Sequence, residues 1–263
     1  MDLGLTNRVA VVAASSRGLG KAVALGLARE GCRLAICSRD AAAIESAARD
    51  IGAETGAPVF AAAVDVTRET AVHEFIEQAA ARFGGIDICV TNAGGPPSKT
   101  FDQTSVEDWR SAVDLNLMST LFFAREVLPR MKERRWGRFL TITSVAVKQP
   151  LEGLILSNSV RAAVSGLVKS LANEYGPFGV LVNNVCPGFT MTARLEQLSG
   201  QLAAAEGVTR EEVQERWARQ TPLRRIGTPE EFAAVAVFLA SERAAYITGS
   251  SIAVDGGLVR GLY

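Results

Sequence analysis

The stretch VAVVAASSRGLGKAVALGLAREG, residues 9–31, contains a predicted strand, a turn and a helix in direct succession. Its first part, VAVVAA (9–14), is apolar and rich in valine, as is typical of a buried strand. Gly18 and Gly20 lie at the predicted turn, and a helical pattern covers residues 19–30. Glycine lets backbone approach a phosphate group, and free N–H groups at the start of a helix attract that group. This order of elements predicts a nucleotide-binding unit.

The same alternation of short apolar runs and longer helical patterns continues along the chain. Six further strands are predicted: RLAICS (33–38), VFAAAVDV (59–66), DICVTNAG (87–94), RFLTITS (138–144), VLVNNVCP (180–187) and SIAVDGG (251–257). The other predicted helices cover residues 41–53, 68–83, 105–134, 161–176 and 229–240. Strands this apolar, joined by helices in right-handed crossovers, favour a parallel sheet covered on both faces. We therefore predict an α/β protein with a doubly wound parallel sheet, a Rossmann fold, in a single domain spanning residues 1–263.

One long segment, residues 189–228, interrupts this alternation, because it has helical patterns but no strand. It follows a strand end, which is where open α/β sheets bind ligands. This position favours a lid over a substrate site, although an ordinary long connection is the alternative. The apolar residues of the segment suggest a fairly apolar substrate: Leu195, Leu198, Leu202, Val208, Val213 and Trp217.

The composition excludes several classes of protein. The 263 residues carry 28 Lys and Arg against 28 Asp and Glu, so nothing in the net charge favours nucleic acid or an anionic membrane as a partner. No segment offers the ~20 apolar residues of a membrane span, and no secretory signal pattern is present, so we expect a cytoplasmic protein. The single histidine, His73, allows neither a catalytic triad nor a multi-histidine metal site, and no metal is predicted. Four cysteines lie in or beside apolar runs, where burial is expected: Cys32, Cys37, Cys89 and Cys186.

The end of the second predicted strand points to the type of dinucleotide. An acidic residue there would bind the ribose 2′-hydroxyl of NAD, whereas an arginine can pair with the 2′-phosphate of NADP. Arg39 occupies this place, and Arg17 in the glycine turn is a second candidate. Asp40 follows directly and argues the other way. The pair of arginines favours NADP over NAD.

These motifs together resemble the short-chain dehydrogenases/reductases, and within them the 3-oxoacyl-carrier-protein reductase-like group. The resemblance covers residues 5–260 and rests on AASSRGLG (13–20), DV (65–66), NAG (92–94), LNL (115–117), PGFTMT (187–192), PLRRIGTPEE (222–231) and ITGSSIAVDGG (247–257). Ala13 and Ala14 replace the first Thr and Gly of the family's glycine loop. The resemblance implies that NADP contacts Ser15, Ser16, Arg17, Gly18, Leu19, Gly20, Arg39, Asp65, Val66, Asn92, Ala93, Gly94, Arg161, Pro187, Gly188, Thr190 and Thr192.

The resemblance also places the catalytic residues, and here the sequence departs from the family. Asn116 matches the catalytic asparagine, and Ser144 matches the catalytic serine. Thirteen residues after that serine the family carries Tyr-x-x-x-Lys, but this chain has Ser157 and Arg161 in those places. The two side chains are four residues apart and share one helix face.

This departure bears on the source of the proton. In the family the tyrosine, with a free pKa of about 10 that the lysine lowers, donates a proton to the substrate oxygen. Arg161 can supply a permanent charge and bind ribose, but it cannot act as an acid. Ser157 is a weaker acid than a phenol and shorter. In 2,4-dienoyl-CoA reductases, where serine also stands in the tyrosine slot, a tyrosine eleven residues earlier compensates, but this chain has Ala146 there.

One lysine near the catalytic serine is an alternative proton donor. Lys148 lies four residues after Ser144, on the loop that leaves the same strand. Burial beside another cation makes an ammonium group a stronger acid. The competing interpretation is a solvated loop lysine.

Three functions remain compatible with these residues. The favoured one is an NADP(H)-dependent oxidoreductase that reduces a carbonyl, or a related C=N or C=C group, with the proton supplied by a water relay through Asn116 or by Lys148. The second is a nucleotide-binding protein or partner subunit without turnover. The third is an epimerase or dehydratase that retains its cofactor. The resemblance implies a homotetramer acting on a small molecule, and the small-residue run AAVSGL (162–167) would suit a helix interface or packing on the sheet.

Overall fold

The computed structural model describes residues 1–262 and shows seven strands and nine α-helices within that range. The strands are β1 (Val9–Ala13), β2 (Arg33–Ser38), β3 (Val59–Ala63), β4 (Ile88–Thr91), β5 (Gly137–Ile142), β6 (Val180–Pro187) and β7 (Ser251–Val254). The helices are α1 (Gly18–Arg29), α2 (Ala41–Thr55), α3 (Glu69–Phe83), α4 (Val106–Val113), α5 (Ser119–Arg134), α6 (Ile155–Tyr175), α7 (Ala193–Glu206), α8 (Arg210–Gln220) and α9 (Pro229–Ala240).

The strands form one parallel sheet in the order β3-β2-β1-β4-β5-β6-β7. Alternate side chains of β1 enter two separate apolar layers, with Ala10 and Val12 in one and Val11 and Ala13 in the other. Helices α1, α2 and α9 cover the first face, and α3, α5 and α6 cover the second. The predicted doubly wound sheet in a single domain is therefore confirmed.

Two predicted helix boundaries were wrong. The helix predicted over residues 105–134 is divided, because a π-helical turn over Asp114–Met118 separates α4 from α5. The helix predicted to begin at residue 161 begins at Ile155 instead. Asn158 fixes this earlier start, since its side chain accepts a hydrogen bond from Leu151 N at 3.2 Å and donates one to Leu151 O at 2.8 Å.

The segment 189–228 has the predicted character, with α7 and α8 and no strand. Phe189, just after β6, stacks on Trp217 of α8 with 5.2 Å between the ring centroids and 12° between the ring planes. Leu195 and Val213 are buried. This stacking attaches the helical pair to the carboxyl end of β6.

The cysteines and the histidine lie where the sequence predicts them. All four thiols are free and buried, and burial raises the pKa of both Cys32 and Cys37 to about 12. His73 is exposed on α3, and its Nδ1 lies 3.1 Å from a carboxylate oxygen of Glu126. Among residues 1–262, no helix is both long and apolar enough to cross a membrane.

The residue directly after β1 has a strained backbone. Ala14 adopts a φ of 48°, in the left-handed region where a Cβ crowds the neighbouring carbonyl. This is the position at which the family resemblance implies glycine. The turn is therefore closed at an energetic cost that glycine would not carry.

We expect Ala14→Gly to raise the free energy of unfolding by about 0.5–1 kcal/mol, because relief of the strain exceeds the added flexibility of the unfolded chain. Urea unfolding without cofactor measures this change. Ala13→Gly is the matched control. Ala13 is buried in β1, so this change should destabilise the protein. A loss of stability in both variants would contradict the assignment of strain to Ala14.

Candidate active site

The glycine turn between β1 and α1 brings backbone unusually close together. A Cβ on Gly20 would lie 2.4 Å from the carbonyl oxygen of Ala14, so only glycine allows α1 to approach β1. Gly18 has a φ of +59°. The buried Ser15 hydroxyl donates to Val12 O at 2.8 Å. The N-cap residue of α1 is Arg17, whose side chain makes no capping hydrogen bond. The N–H groups of the first turn are therefore available to bind an anion.

The second strand end presents an arginine whose acidic neighbour is already engaged. Arg39 is exposed. Asp40 caps α2, where its carboxylate accepts a hydrogen bond from Ala43 N at 3.0 Å. This capping explains the acidic residue without a ribose contact.

Asp65, after β3, faces the same region. Burial raises the pKa of Asp65, but hydrogen bonds from Thr67 and the charges of Arg39 and Arg68 outweigh it, so this pKa lies below its ordinary value. Val66 beside it is buried.

The segment after β4 links the glycine turn to the rest of the site. Asn92 donates from its side chain to Ala14 O at 3.3 Å. Ala93 is half-buried, and Gly94 is exposed, with no atom within 4 Å of the place where its Cβ would be. The backbone therefore presents an open surface that a flat cofactor group can approach.

Asn116 lies on the π-helical turn and is only 4% exposed. Its side-chain nitrogen donates to Gly94 O at 3.1 Å, but its Oδ1 has no partner, and neither does the buried hydroxyl of Thr91. Asn116, Thr91 and Arg161 line a cavity of about 10 Å³. This volume is at the lower limit for one water molecule.

Arg161 is a buried cation held by backbone carbonyls. It is 8% exposed, and its guanidinium donates to Ile142 O at 3.2 Å, to Thr143 O at 3.1 Å and to Gly94 O at 3.4 Å. Burial lowers the pKa of Arg161 to about 10. The side chain therefore remains positively charged at neutral pH.

The two serines differ in their hydrogen bonding. Ser144 begins a short 3-10 turn, and its Oγ accepts a hydrogen bond from Ala146 N at 3.1 Å, which leaves its own proton available. Ser157 lies in the first turn of α6 and is 8% exposed. Within the described residues its hydroxyl makes no hydrogen bond. Neither hydroxyl therefore donates a hydrogen bond within the described residues.

Lys148 lies apart from this cluster. The short turn after Ser144 brings it to an exposed position, where it lines a separate recess with Ser251 and Asp255 of the β7 end. It does not line the cavity of Asn116 and Arg161. This placement gives the lysine alternative no support.

The segment after β6 closes towards the glycine turn. Gly188 lies against Asp255, since its Cβ would be 2.6 Å from that residue's Cβ. Pro187 ends β6, and Thr190 is buried. Thr192 caps α7, and its methyl group lies 3.7 Å from the place where a Cβ on Gly18 would be. The two predicted cofactor segments therefore face each other.

The sequence did not reveal the polar network behind the site. Asn184 of β6 is fully buried, and its Oδ1 accepts hydrogen bonds from Thr141 at 2.9 Å and Thr143 at 2.7 Å. Its Nδ2 donates to Ser165 at 3.1 Å and to Ser251 at 3.2 Å. The network fixes Thr143, whose carbonyl binds the guanidinium. Two polar residues in a buried apolar strand, Asn183 and Asn184, were the available signal.

The fold and the site define a Rossmann-type protein with a glycine turn and a buried polar cluster at the carboxyl ends of its strands. Residues 13–259 match the family described as enoyl-(acyl carrier protein) reductase. The 3-oxoacyl-acyl-carrier-protein reductase FabG of Aquifex aeolicus is 34% identical over 258 residues, covering 98% of this chain and all of that protein. The chain belongs to the short-chain dehydrogenase/reductase family.

Two further similarities concern reductases that use NADPH by name or by bound ligand. The NADPH-dependent reductase BacG of Bacillus subtilis is 30% identical, over 98% of this chain and all of that protein. The structure of L-sorbose reductase from Gluconobacter frateurii, complexed with NADPH and L-sorbose, superposes with a TM-score of 0.95 at 33% identity. That match covers the whole of both chains.

We expect Arg161→Lys to lower the free energy of unfolding by about 1–3 kcal/mol, because an ammonium group cannot reproduce the planar fork that reaches three carbonyls. Urea unfolding without cofactor is the measurement. Arg39→Lys, at an exposed position, should change stability by less than about 0.5 kcal/mol. Equal stabilities of the two variants would show that the carbonyl contacts contribute nothing.

Proposed function

We propose that the protein is an NADPH-dependent oxidoreductase that reduces a carbonyl, or a related C=N or C=C group, of a small and fairly apolar molecule. The observation that carries this proposal is the buried Arg161 guanidinium beside Asn116, at the strand ends next to the glycine turn. A cation at this place without an acidic partner would be able to bind a cofactor ribose and to stabilise negative charge on the substrate oxygen. The reductases FabG and BacG and the NADPH complex of L-sorbose reductase support the reaction class.

The residues present fit a dinucleotide. The close approach at Gly20 and the uncapped start of α1 offer a cradle for its diphosphate. Arg39 and Arg17, both exposed, would bind the 2′-phosphate, and Asp40 does not compete because it caps α2. The rest of the dinucleotide would contact the other cofactor residues that the sequence predicts, among them Thr190 and Thr192 on the side of the lid. The bound NADPH would supply the hydride.

The chain's own residues would polarise the substrate and supply the proton. Ser144 and Ser157 would donate hydrogen bonds to the substrate oxygen, since neither hydroxyl donates one within the described residues. Arg161 would bind the cofactor ribose and stabilise negative charge on that oxygen. The proton would come from water through Asn116, whose unpaired Oδ1 borders a cavity of about the size of one water. The sequence also offers Lys148 as a donor, but this exposed side chain does not line that cavity.

The segment 189–228 would serve as the lid. Its apolar residues, and the stacking of Trp217 on Phe189 within it, support a cover for an apolar substrate. We further propose a cytoplasmic homotetramer, supported by the exposed small residues Ala162, Ala163 and Gly166 on α6. A monomer mass in sedimentation equilibrium would refute the tetramer.

Calorimetric titration tests the cofactor first. NADPH should bind more tightly than NADH, and Arg39→Ala should weaken NADPH binding about tenfold or more without affecting NADH, because a phosphate contact is lost. Arg49→Ala, at another exposed arginine on α2, is the control. Equal affinity of the wild type for both cofactors would contradict the NADP assignment. NADPH binding without turnover on a panel of carbonyl, imine and enoyl compounds would favour the non-catalytic alternative.

The pH dependence of kcat tests the source of the proton. Ser144 and Ser157 do not titrate near neutrality, and the pKa of Arg161 is about 10 because of burial, so kcat for reduction should vary less than about threefold between pH 6 and 9. Lys148→Met should leave kcat within a factor of about three. A large loss of kcat in Lys148→Met, or a kcat that falls steadily with rising pH, would assign the proton to a titrating donor instead.

A further inference from the structure

A second arginine faces the site from the lid. Arg194 is the second residue of α7, two residues after the cap residue Thr192. Cations are unfavourable near the N-terminus of a helix, because the helix dipole is positive there. Its position therefore costs stability that a neutral side chain would not.

The contacts of Arg194 span the cleft. Its Nη2 donates to Pro96 O at 3.2 Å, and its Nη1 lies 3.5 Å from the side-chain oxygen of Gln197. Its guanidinium covers Gly95, since the Cβ position of that glycine is 3.7 Å from both Nε and Nη2. The side chain thus joins the lid to the segment that follows β4.

No acid neutralises this charge. Among residues 1–262, neither Arg194 nor Arg161 forms an ion pair with a carboxylate, although thirteen other pairs join a lysine or arginine to a carboxylate. The partners of both guanidinium groups are neutral oxygens. Burial is the main cause that lowers the pKa of Arg161, and the positive charge of Arg194 also lowers it. The two cations are therefore close enough to repel each other.

Arg161 is buried and Arg194 is half-buried, and no carboxylate balances either charge. The electrostatic potential between two such cations favours the binding of an anion. Thr192, at the start of α7, also lies near the glycine turn, since its methyl group is 3.7 Å from the place where a Cβ on Gly18 would be. An anion at Arg194 would therefore lie between the lid and the segment after β4, where Arg194 contacts Pro96. An arginine fork binds paired anionic oxygens better than it binds a single carbonyl. An anion can therefore replace Pro96 O as the hydrogen-bond partner of Arg194.

We propose that Arg194 forms an anion-binding site on the lid side of the cleft, which takes either the carboxylate of a keto-acid substrate or the diphosphate of the dinucleotide. The naming of these two sources rests on the proposed function. If the source is the substrate, the molecule has an apolar body for the lid and an anionic group beside its reacting carbonyl. Arg194 is then a specificity-determining residue.

Calorimetry on the full chain tests this site. The variants are Arg194→Gln, Arg194→Lys, which keeps the charge, and Arg210→Gln as a control, because Arg210 is an exposed arginine in the first turn of α8. The probes are inorganic pyrophosphate, NADPH, and 2-oxohexanoate or its methyl ester in the presence of saturating NADP. Far-ultraviolet circular dichroism confirms that each variant is folded.

Arg194→Gln should weaken the binding of at least one anionic probe about tenfold or more, while Arg194→Lys keeps most of it and Arg210→Gln changes nothing. Weaker pyrophosphate and NADPH binding assigns the site to the diphosphate. Unchanged NADPH binding with weaker 2-oxohexanoate binding, and no effect on the ester, assigns it to the substrate.

Equal affinity of the wild type and Arg194→Gln for every anionic probe would overturn the proposal. If the wild type binds no NADPH, the proposed function fails separately. Pyrophosphate binding then tests the anion site on its own. Loss of pyrophosphate binding in Arg194→Gln supports the site, whereas a wild type that binds no pyrophosphate overturns the proposal.

Discussion

The buried guanidinium of Arg161 is the interaction on which the arrangement of the site depends. A charge in the interior must be compensated, and here carbonyl oxygens at the ends of β4 and β5 provide the compensation in place of a carboxylate. Those carbonyls converge only because the strands are parallel and end at the same edge of the sheet. Arg161 lies on α6 and shares the Gly94 carbonyl with Asn116, so this one group joins α6, the segment after β4 and Asn116.

The fold was largely predictable because its signals are local. Apolar strands and helical periodicity identified all seven strands, and the glycine turn identified the nucleotide end of the sheet. The π-helical turn over residues 114–118 was not predictable, since one extra residue in a helix leaves no pattern of its own. The start of α6 was missed because it depends on the contact of Asn158 with Leu151 seven residues earlier.

The site was predictable in its parts and not in its connections. Asn116 and Arg161 do share one carbonyl, as their assignment to one site requires, whereas Lys148 turns away to the β7 end. The Asn184 network was missed because it joins three strands and a helix that are far apart in sequence. Arg194 was missed for a similar reason, since its sequence neighbours indicate only an exposed helix start.

The buried cysteines make local opening of the sheet measurable by the rate of thiol alkylation. Three of them, Cys37, Cys89 and Cys186, lie on β2, β4 and β6, and burial is the main cause that raises the pKa of each. A thiol in this state reacts with an alkylating reagent only when its strand becomes accessible to solvent. The rate at which each cysteine is alkylated therefore reports how often that part of the sheet opens, strand by strand, and no cysteine has to be engineered for the purpose.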